Sequence, residues 1–216
     1  MEKLIELAQK IEDENLREKV INFLKNPKLS HEDFKKYPRM KIEEAVSVFT
    51  VSSPSGQITV ERDVLNHTIA VTELCLKVSE VLEKRYGLKV KKDYLIAGSL
   101  LHDIPKIFEW KRGEKGVEHT GILLDHTLLG VAELYARKFP EEVIHIIASH
   151  FGETGPTPPR TLEAIILHYC DSFLSMIEFQ IKKKAEEGIQ LILFDEEMLK
   201  DVVEKIAKEE IKKFPK

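Results

Sequence analysis

Residues 94–106 read YLIAGSLLHDIPK. The run predicts an apolar helix from roughly Lys92 to His102, with Pro105 close behind to end it. An imidazole and a carboxylate therefore stand side by side at a helix end. Neighbouring side chains within a helix diverge by about 100°, so His102 and Asp103 converge best where the helix stops. Together they suit a borderline divalent metal, which accepts nitrogen and oxygen ligands. Taken alone, the simpler account is a capping aspartate beside a half-buried histidine.

Residues further out change that balance. His67 lies in LNHTIAVTEL, early in a helix with apolar neighbours, and His126 lies in LLDHTLLG, again in an apolar setting. His150 ends the helix EEVIHIIASH, just before a Gly/Pro loop. Asp171 interrupts AIILHYCDSFLSMI, the most hydrophobic helix of the chain. A carboxylate there is heavily penalised by desolvation unless it is paired, hydrogen-bonded or bound to a cation. Any one of these histidines is more often a satisfied core residue than a ligand. Four of them with two aspartates, all at apolar helix segments or helix ends, are hard to explain that way. The other histidines serve as controls. His31 and His119 are expected at the surface, and His145 sits about 140° round the helix from His150. His168 shares a helix face with Asp171, where it either orients that carboxylate or packs in the core.

The rest of the chain reads as a mainly α fold with two small β-hairpins. One or two helices open it, and Ser30 with Asp33 marks a short helix ended or interrupted by Pro38. VSVFTVSS and QITVE, joined by Pro54-Ser55-Gly56, form the first hairpin. A long helix runs from about Asp63 to Tyr86 and stops at Gly87. IFEW and VEHT form the second hairpin, followed by helices near His126 to Arg137 and Glu141 to Ser149. After the rigid loop GETGPTPP, a helix begins near Thr161 and passes Ile177, and Asp195 caps a last amphipathic helix. A single unit over 1–216 is expected, its core at about 60–180, with helices from 1–45 and 195–214 packed on it.

The 216 residues are 43% hydrophobic and 32% charged, the balance of a folded globular protein. Lys and Glu dominate the charge while Asn and Gln are scarce, a composition similar to that of thermophilic proteins. A net charge of −4 gives no overall attraction to a polyphosphate backbone. Cys75 and Cys170 lie in apolar helical patterns and read as buried thiols of a reducing compartment. With no spanning apolar run and no signal peptide, a cytoplasmic location without membrane attachment is expected.

His67, then His102-Asp103, then Asp171 resembles the H…HD…D signature of the HD-domain metal-dependent phosphohydrolases. His126 and His150, falling between, resemble the extra histidines of its dinuclear members. The wording NHTIAVTEL, AGSLLHDIPK, LLDHTLLGVAEL, ASHFGETGPTPPRTLEA and ILHYCDS is similar to the HD domain of bacterial 3′→5′ exoribonucleases of the YhaM type. Over nearly the whole chain it resembles more closely the archaeal cyclic phosphodiesterases of methanopterin biosynthesis. That class opens dihydroneopterin 2′,3′-cyclic phosphate to the monophosphate with ferrous iron. Pro105 stands where many HD domains carry Gly, and FGETGPTPP lacks the DGxGYP-like wording of the cyclic dinucleotide phosphodiesterases.

The resemblance implies a first metal held by His67, His102, Asp103 and Asp171, with Asp103 bridging to a second held by His126 and His150. It implies Fe(II), with Mn(II), Co(II) or Ni(II) also compatible with a ligand set lacking thiolate. Lys106, one turn past the HD pair, and Arg160, near a helix start, are the candidates for holding phosphate. Phe108, Trp110, Phe151 and Tyr169 are candidates for stacking on an aromatic base. The partner expected is a small phosphodiester, with nucleic acid disfavoured and a homo-oligomer left open. The alternatives are a nucleotide or RNA phosphodiesterase and a non-catalytic HD sensor module.

Overall fold

The computed structural model describes residues 1–53, 56–114 and 116–185, so the helix expected from Asp195 lies outside the described residues. Two helices open the chain, α1 (Glu2–Ala8) and α2 (Glu14–Lys25). The first hairpin pairs β1 (Val46–Ser53) with β2 (Gly56–Asp63), antiparallel, from Val46↔Asp63 to Ser53↔Gly56. It feeds directly into α3 (Val64–Tyr86), followed by α4 (Lys92–Leu101) and a single turn, α5 (Lys106–Glu109). The second hairpin joins β3 (Trp110–Gly113) to β4 (Gly116–His119). Next come α6 (His126–Ala136), α7 (Glu141–Ala148) and α8, helical over 162–185.

The helix starts follow from short polar side chains. Asp13, Asp63 and Asp125 each accept the backbone N–H three residues on, capping α2, α3 and α6. Gly87 ends α3 in the left-handed conformation at φ 65°, which costs a glycine little.

Two expectations are corrected. The Ser30–Asp33 segment makes only a 3₁₀ turn, Glu32–Phe34, capped by His31. Most of IFEW is helical, and only Trp110 enters the second hairpin. Pro105 pre-sets a helical φ at the start of α5, and burial of Ile107 and Phe108 holds that turn against the core.

The core is organised around α4. Every residue from Leu95 to Leu101 is buried, and α1, α2, α3 and α7 all pack against it. A second apolar cluster joins Val71 and Cys75 of α3 to Leu95, Ile146, Leu167 and Cys170. Both cysteines are buried and unbridged. Gly98 sets how closely α4 and α7 approach, because a Cβ there would lie 2.4 Å from Ile146 Cγ2. Gly98 is one turn before His102, and Ile146 is one turn before His150. This close contact therefore aims both helix ends at one place. No helix among the described residues is long and apolar enough to cross a membrane.

Candidate metal centre

Five elements deliver the six side chains. His67 comes from the first turn of α3, His102 caps α4 with Asp103 just beyond it, and His126 opens α6. His150 follows the end of α7, and Asp171 projects from α8. One ligand atom from each of His67, His102 and Asp171 falls within a mutual 4.8 Å, and the same holds for Asp103, His126 and His150. Asp103 faces both groups. Its Oδ2 is 3.8 Å from His67 Nε2 and 3.7 Å from His102 Nε2, while its Oδ1 is 3.5 Å from His126 Nε2. The rings of His102 and His150 lie 5.6 Å apart, and those of His126 and His150 5.4 Å apart.

For three of the four imidazoles the hydrogen bonds fix which nitrogen carries the proton. His102 Nδ1 donates to the Ser99 carbonyl at 2.8 Å, and His150 Nδ1 to the Ile147 carbonyl at 2.7 Å. His67 Nδ1 lies 2.8 Å from Glu178 Oε1, and His126 Nδ1 lies 3.0 Å from Glu109 Oε2. With Nδ1–H engaged in His102, His126 and His150, the Nε2 atoms of these three carry a lone pair and point inward. His67 differs, because its Nε2 lies 3.0 Å from Asp171 Oδ1 and both of its ring nitrogens face carboxylates. Five buried side-chain polar atoms have no hydrogen-bond partner among the described residues, and four are His102 Nε2, Asp103 Oδ1, His126 Nε2 and His150 Nε2. Orphaned acceptors are rare in folded proteins because each forfeits its hydration. A cluster of them, all acceptors and all convergent, fits a cation. The nitrogen and carboxylate donor set fits a first-row divalent ion.

The local charges agree. Burial pushes the Asp103 carboxyl up, but Lys106, His102, His126 and His67 reverse this and hold it well below the usual carboxylate range. Asp171 is depressed as well, its burial outweighed by the His67 hydrogen bond and by His102. Burial lowers His102, and burial with His126 and His102 alongside takes His150 down to about 3, so both stay neutral. His67 differs, since hydrogen bonds to Asp171 and Glu178 outweigh its burial and raise it.

Around this centre lies a cavity of about 580 Å³, lined in part by Phe49, Arg62, Lys106, Trp110, Phe151 and Asp171. Lys106 is buried, its ammonium 2.8 Å from Asp103 Oδ2. Arg160 is not brought here. It is exposed and absent from the lining, and its backbone N–H donates to His145 Nε2 at 3.0 Å, on a helix face turned from His150. His168 lines the cavity, and its partner is the turn after α7 and not Asp171. Its Nδ1 donates to the His150 carbonyl at 2.8 Å, bracing the turn that carries that ligand. Gly152, at φ 64°, makes room for the His168 ring, which a Cβ there would meet at 2.3 Å. Phe108 belongs to the core and Tyr169 lies outside the cavity lining, leaving Trp110 and Phe151 as aromatic walls with Phe49 from β1.

Three residues were not picked out in the sequence. Glu178 and Glu109 accept from His67 and His126, which orients the rings. Arg62, only 6% exposed, approaches Asp103 Oδ2 to 3.6 Å and donates to Glu178 and Ser175. Two of these carried readable signals. Arg62 alternates in phase with buried Val60 on β2, so a charge faces inward. Glu178 is two turns beyond Asp171 and shares its face. Glu109 carried no such signal.

A helical fold that gathers His67, His102-Asp103 and Asp171 at one cavity defines a class. The chain belongs to the HD-domain family of metal-dependent phosphohydrolases, which it matches over residues 64–176. It is 48% identical over 180 residues to the dihydroneopterin 2′,3′-cyclic phosphate phosphodiesterase of Methanocaldococcus jannaschii, covering 82% of this chain and 70% of that protein. It is 31% identical over 139 residues to the 3′-5′ exoribonuclease YhaM of a Geobacillus species, covering 55% of this chain and 43% of the exoribonuclease. No solved structure matches the chain.

Proposed function

We propose that the protein hydrolyses a small cyclic phosphodiester, dihydroneopterin 2′,3′-cyclic phosphate, to the monophosphate. Two divalent cations would serve it, one held by His67, His102, Asp103 and Asp171 and the other by Asp103, His126 and His150. The observation that carries this reading is the convergence of three inward Nε2 lone pairs, of His102, His126 and His150, each with its Nδ1 proton already engaged, on Asp103 and the His67–Asp171 pair. Fe(II) is the assignment for both positions, and Mn(II), Co(II) and Ni(II) suit the same donors. Such ions supply Lewis acidity, neutralising phosphate oxygens and lowering the pKa of water.

The chain's own residues do the rest. Glu109 and Glu178 hold two imidazoles in register, and Lys106 holds Asp103 and faces the cavity as a cation for phosphate. Four carboxylates, Asp103, Asp171, Glu109 and Glu178, stand among the ligands and two cationic side chains, Arg62 and Lys106, and Glu153 lines the cavity beyond them. Two divalent ions would leave a small positive surplus, which suits a monoanionic phosphodiester better than a polyphosphate. The cavity lies within the usual 300–1,000 Å³ of small-ligand sites, and Trp110 and Phe151 give it flat apolar walls for a heteroaromatic base.

An RNA substrate is disfavoured by the net charge of −4. The relative named an exoribonuclease is matched over only 43% of its length. We further read the chain as one unit with its HD core at about 60–180. The test is an anaerobic panel of cyclic pterin phosphate, cyclic nucleotides and short RNA. The cyclic pterin phosphate should have the highest kcat/KM, and a preference for RNA would overturn the reading.

A further inference from the structure

The HD match begins at residue 64 and ends at 176, yet two residues outside it reach the centre, Arg62 from β2 and Glu178 from α8. Burying a guanidinium is costly unless its donors are used. Arg62 Nε donates to Glu178 Oε2 at 2.7 Å and Nη2 to Ser175 Oγ at 2.6 Å, while the Phe49 ring covers the guanidinium at 4.5 Å. These contacts fix the plane of the fork. Nη1 is the corner turned towards the metal ligands, and it approaches Asp103 Oδ2 only to 3.6 Å, beyond hydrogen-bond reach. Asp103 Oδ2 is already served by Lys106 at 2.8 Å, so it does not explain a second buried cation.

We infer that Arg62 binds a non-bridging phosphate oxygen of the substrate through the Nη1 side of its guanidinium. This rests on the phosphodiester reading and adds to it a phosphate contact supplied from outside the HD match. A planar guanidinium held on two edges is preorganised for tetrahedral phosphate oxygens, as a flexible ammonium is not. The first hairpin would then be part of the substrate site, bringing Arg62 to the same Asp103 oxygen, Oδ2, that Lys106 holds.

The rival account makes Arg62 only a clamp on Glu178, which in turn orients His67. Calorimetric titration of inorganic phosphate into the metal-saturated full chain separates the two. Arg62→Gln should weaken phosphate binding about tenfold or more, the loss expected for one charge-assisted hydrogen bond, at unchanged metal content. Arg62→Lys should fall between it and the wild type. Glu178→Gln should instead weaken metal binding and, at saturating metal, leave phosphate affinity closer to wild type. Unaltered phosphate affinity in both Arg62 variants would overturn the inference. So would metal loss matching that of Glu178→Gln with normal phosphate affinity at saturation. Turnover of the cyclic pterin phosphate by the wild type is measured alongside. Its absence, with Arg62-dependent phosphate binding intact, would remove the substrate reading and leave this one standing.

Discussion

His102 and His150 differ from His67 and His126 in what holds their rings. The first two donate Nδ1–H to carbonyls three residues back, Ser99 and Ile147, at the ends of α4 and α7. The other two lean on carboxylates distant in sequence, Glu178 for His67 and Glu109 for His126. Backbone anchoring makes ring orientation a consequence of how helices end and pack. Carboxylate anchoring makes it depend on one side chain. One pair is thus built into the core, and the other can be adjusted by single substitutions.

The core-built pair is broken through packing. Gly98→Ala places a Cβ against Ile146, so α4 and α7 must shift, and overpacking of this kind costs about 1–3 kcal/mol. We expect a Tm lower by several degrees together with weaker metal binding, since the same contact aims His102 and His150. Thermal melting with metal analysis checks both.

The carboxylate-anchored pair should behave differently. Glu109→Gln and Glu178→Gln should each weaken metal binding by about 10–100-fold while the fold persists. Competition with a chelator measures the affinity, and circular dichroism measures the fold. Equal loss of structure in these variants and in Gly98→Ala would erase the distinction.

Acid sharpens the contrast in the metal-free protein. His102 and His150 are held below their ordinary 6.5, so the unfolded chain binds more protons than the native state as pH falls through that value. Stability contributed by their neutral forms is therefore lost below about pH 6.5, and for His150 the loss continues towards pH 3. His67 is raised and works the other way, adding stability that fades as pH climbs. The net expectation is a lower Tm at pH 5 than at pH 7, less pronounced in His150→Gln. The smallest effect belongs to Arg160→Ala, which removes an exposed side chain and keeps the backbone bond to His145. Its kcat/KM should stay within about twofold of wild type, as for surface changes generally.

The same contrast explains what the sequence revealed. The helices, the first hairpin and the six convergent residues follow from apolar periodicity, capping aspartates and a carboxylate at Asp171 that an apolar helix cannot otherwise tolerate. The HD pair was readable because a helix end brings its side chains together locally. Glu109 was not, since its partner His126 lies across the second hairpin and nothing in its own segment points there. The partner of His168 was hidden for a related reason. The face of His168 agrees with Asp171, but the turn after α7 brings the His150 carbonyl nearer. Arg160 reads as a phosphate ligand only while the path of the Pro loop is unknown. Spacing along one helix is visible in sequence, whereas contacts made by loops and between distant elements need the fold.

Anaerobic determination of bound metal per chain, for wild type and Asp103→Ala side by side, tests the central claim most directly. Among the described residues Asp103 alone has an oxygen towards each group, so its loss should empty both positions while the helices remain. Two ions per wild-type chain, and a clear fall in the variant with helicity retained, is the result expected. A wild type that takes up no metal, or a variant that takes up as much as the wild type, would contradict it.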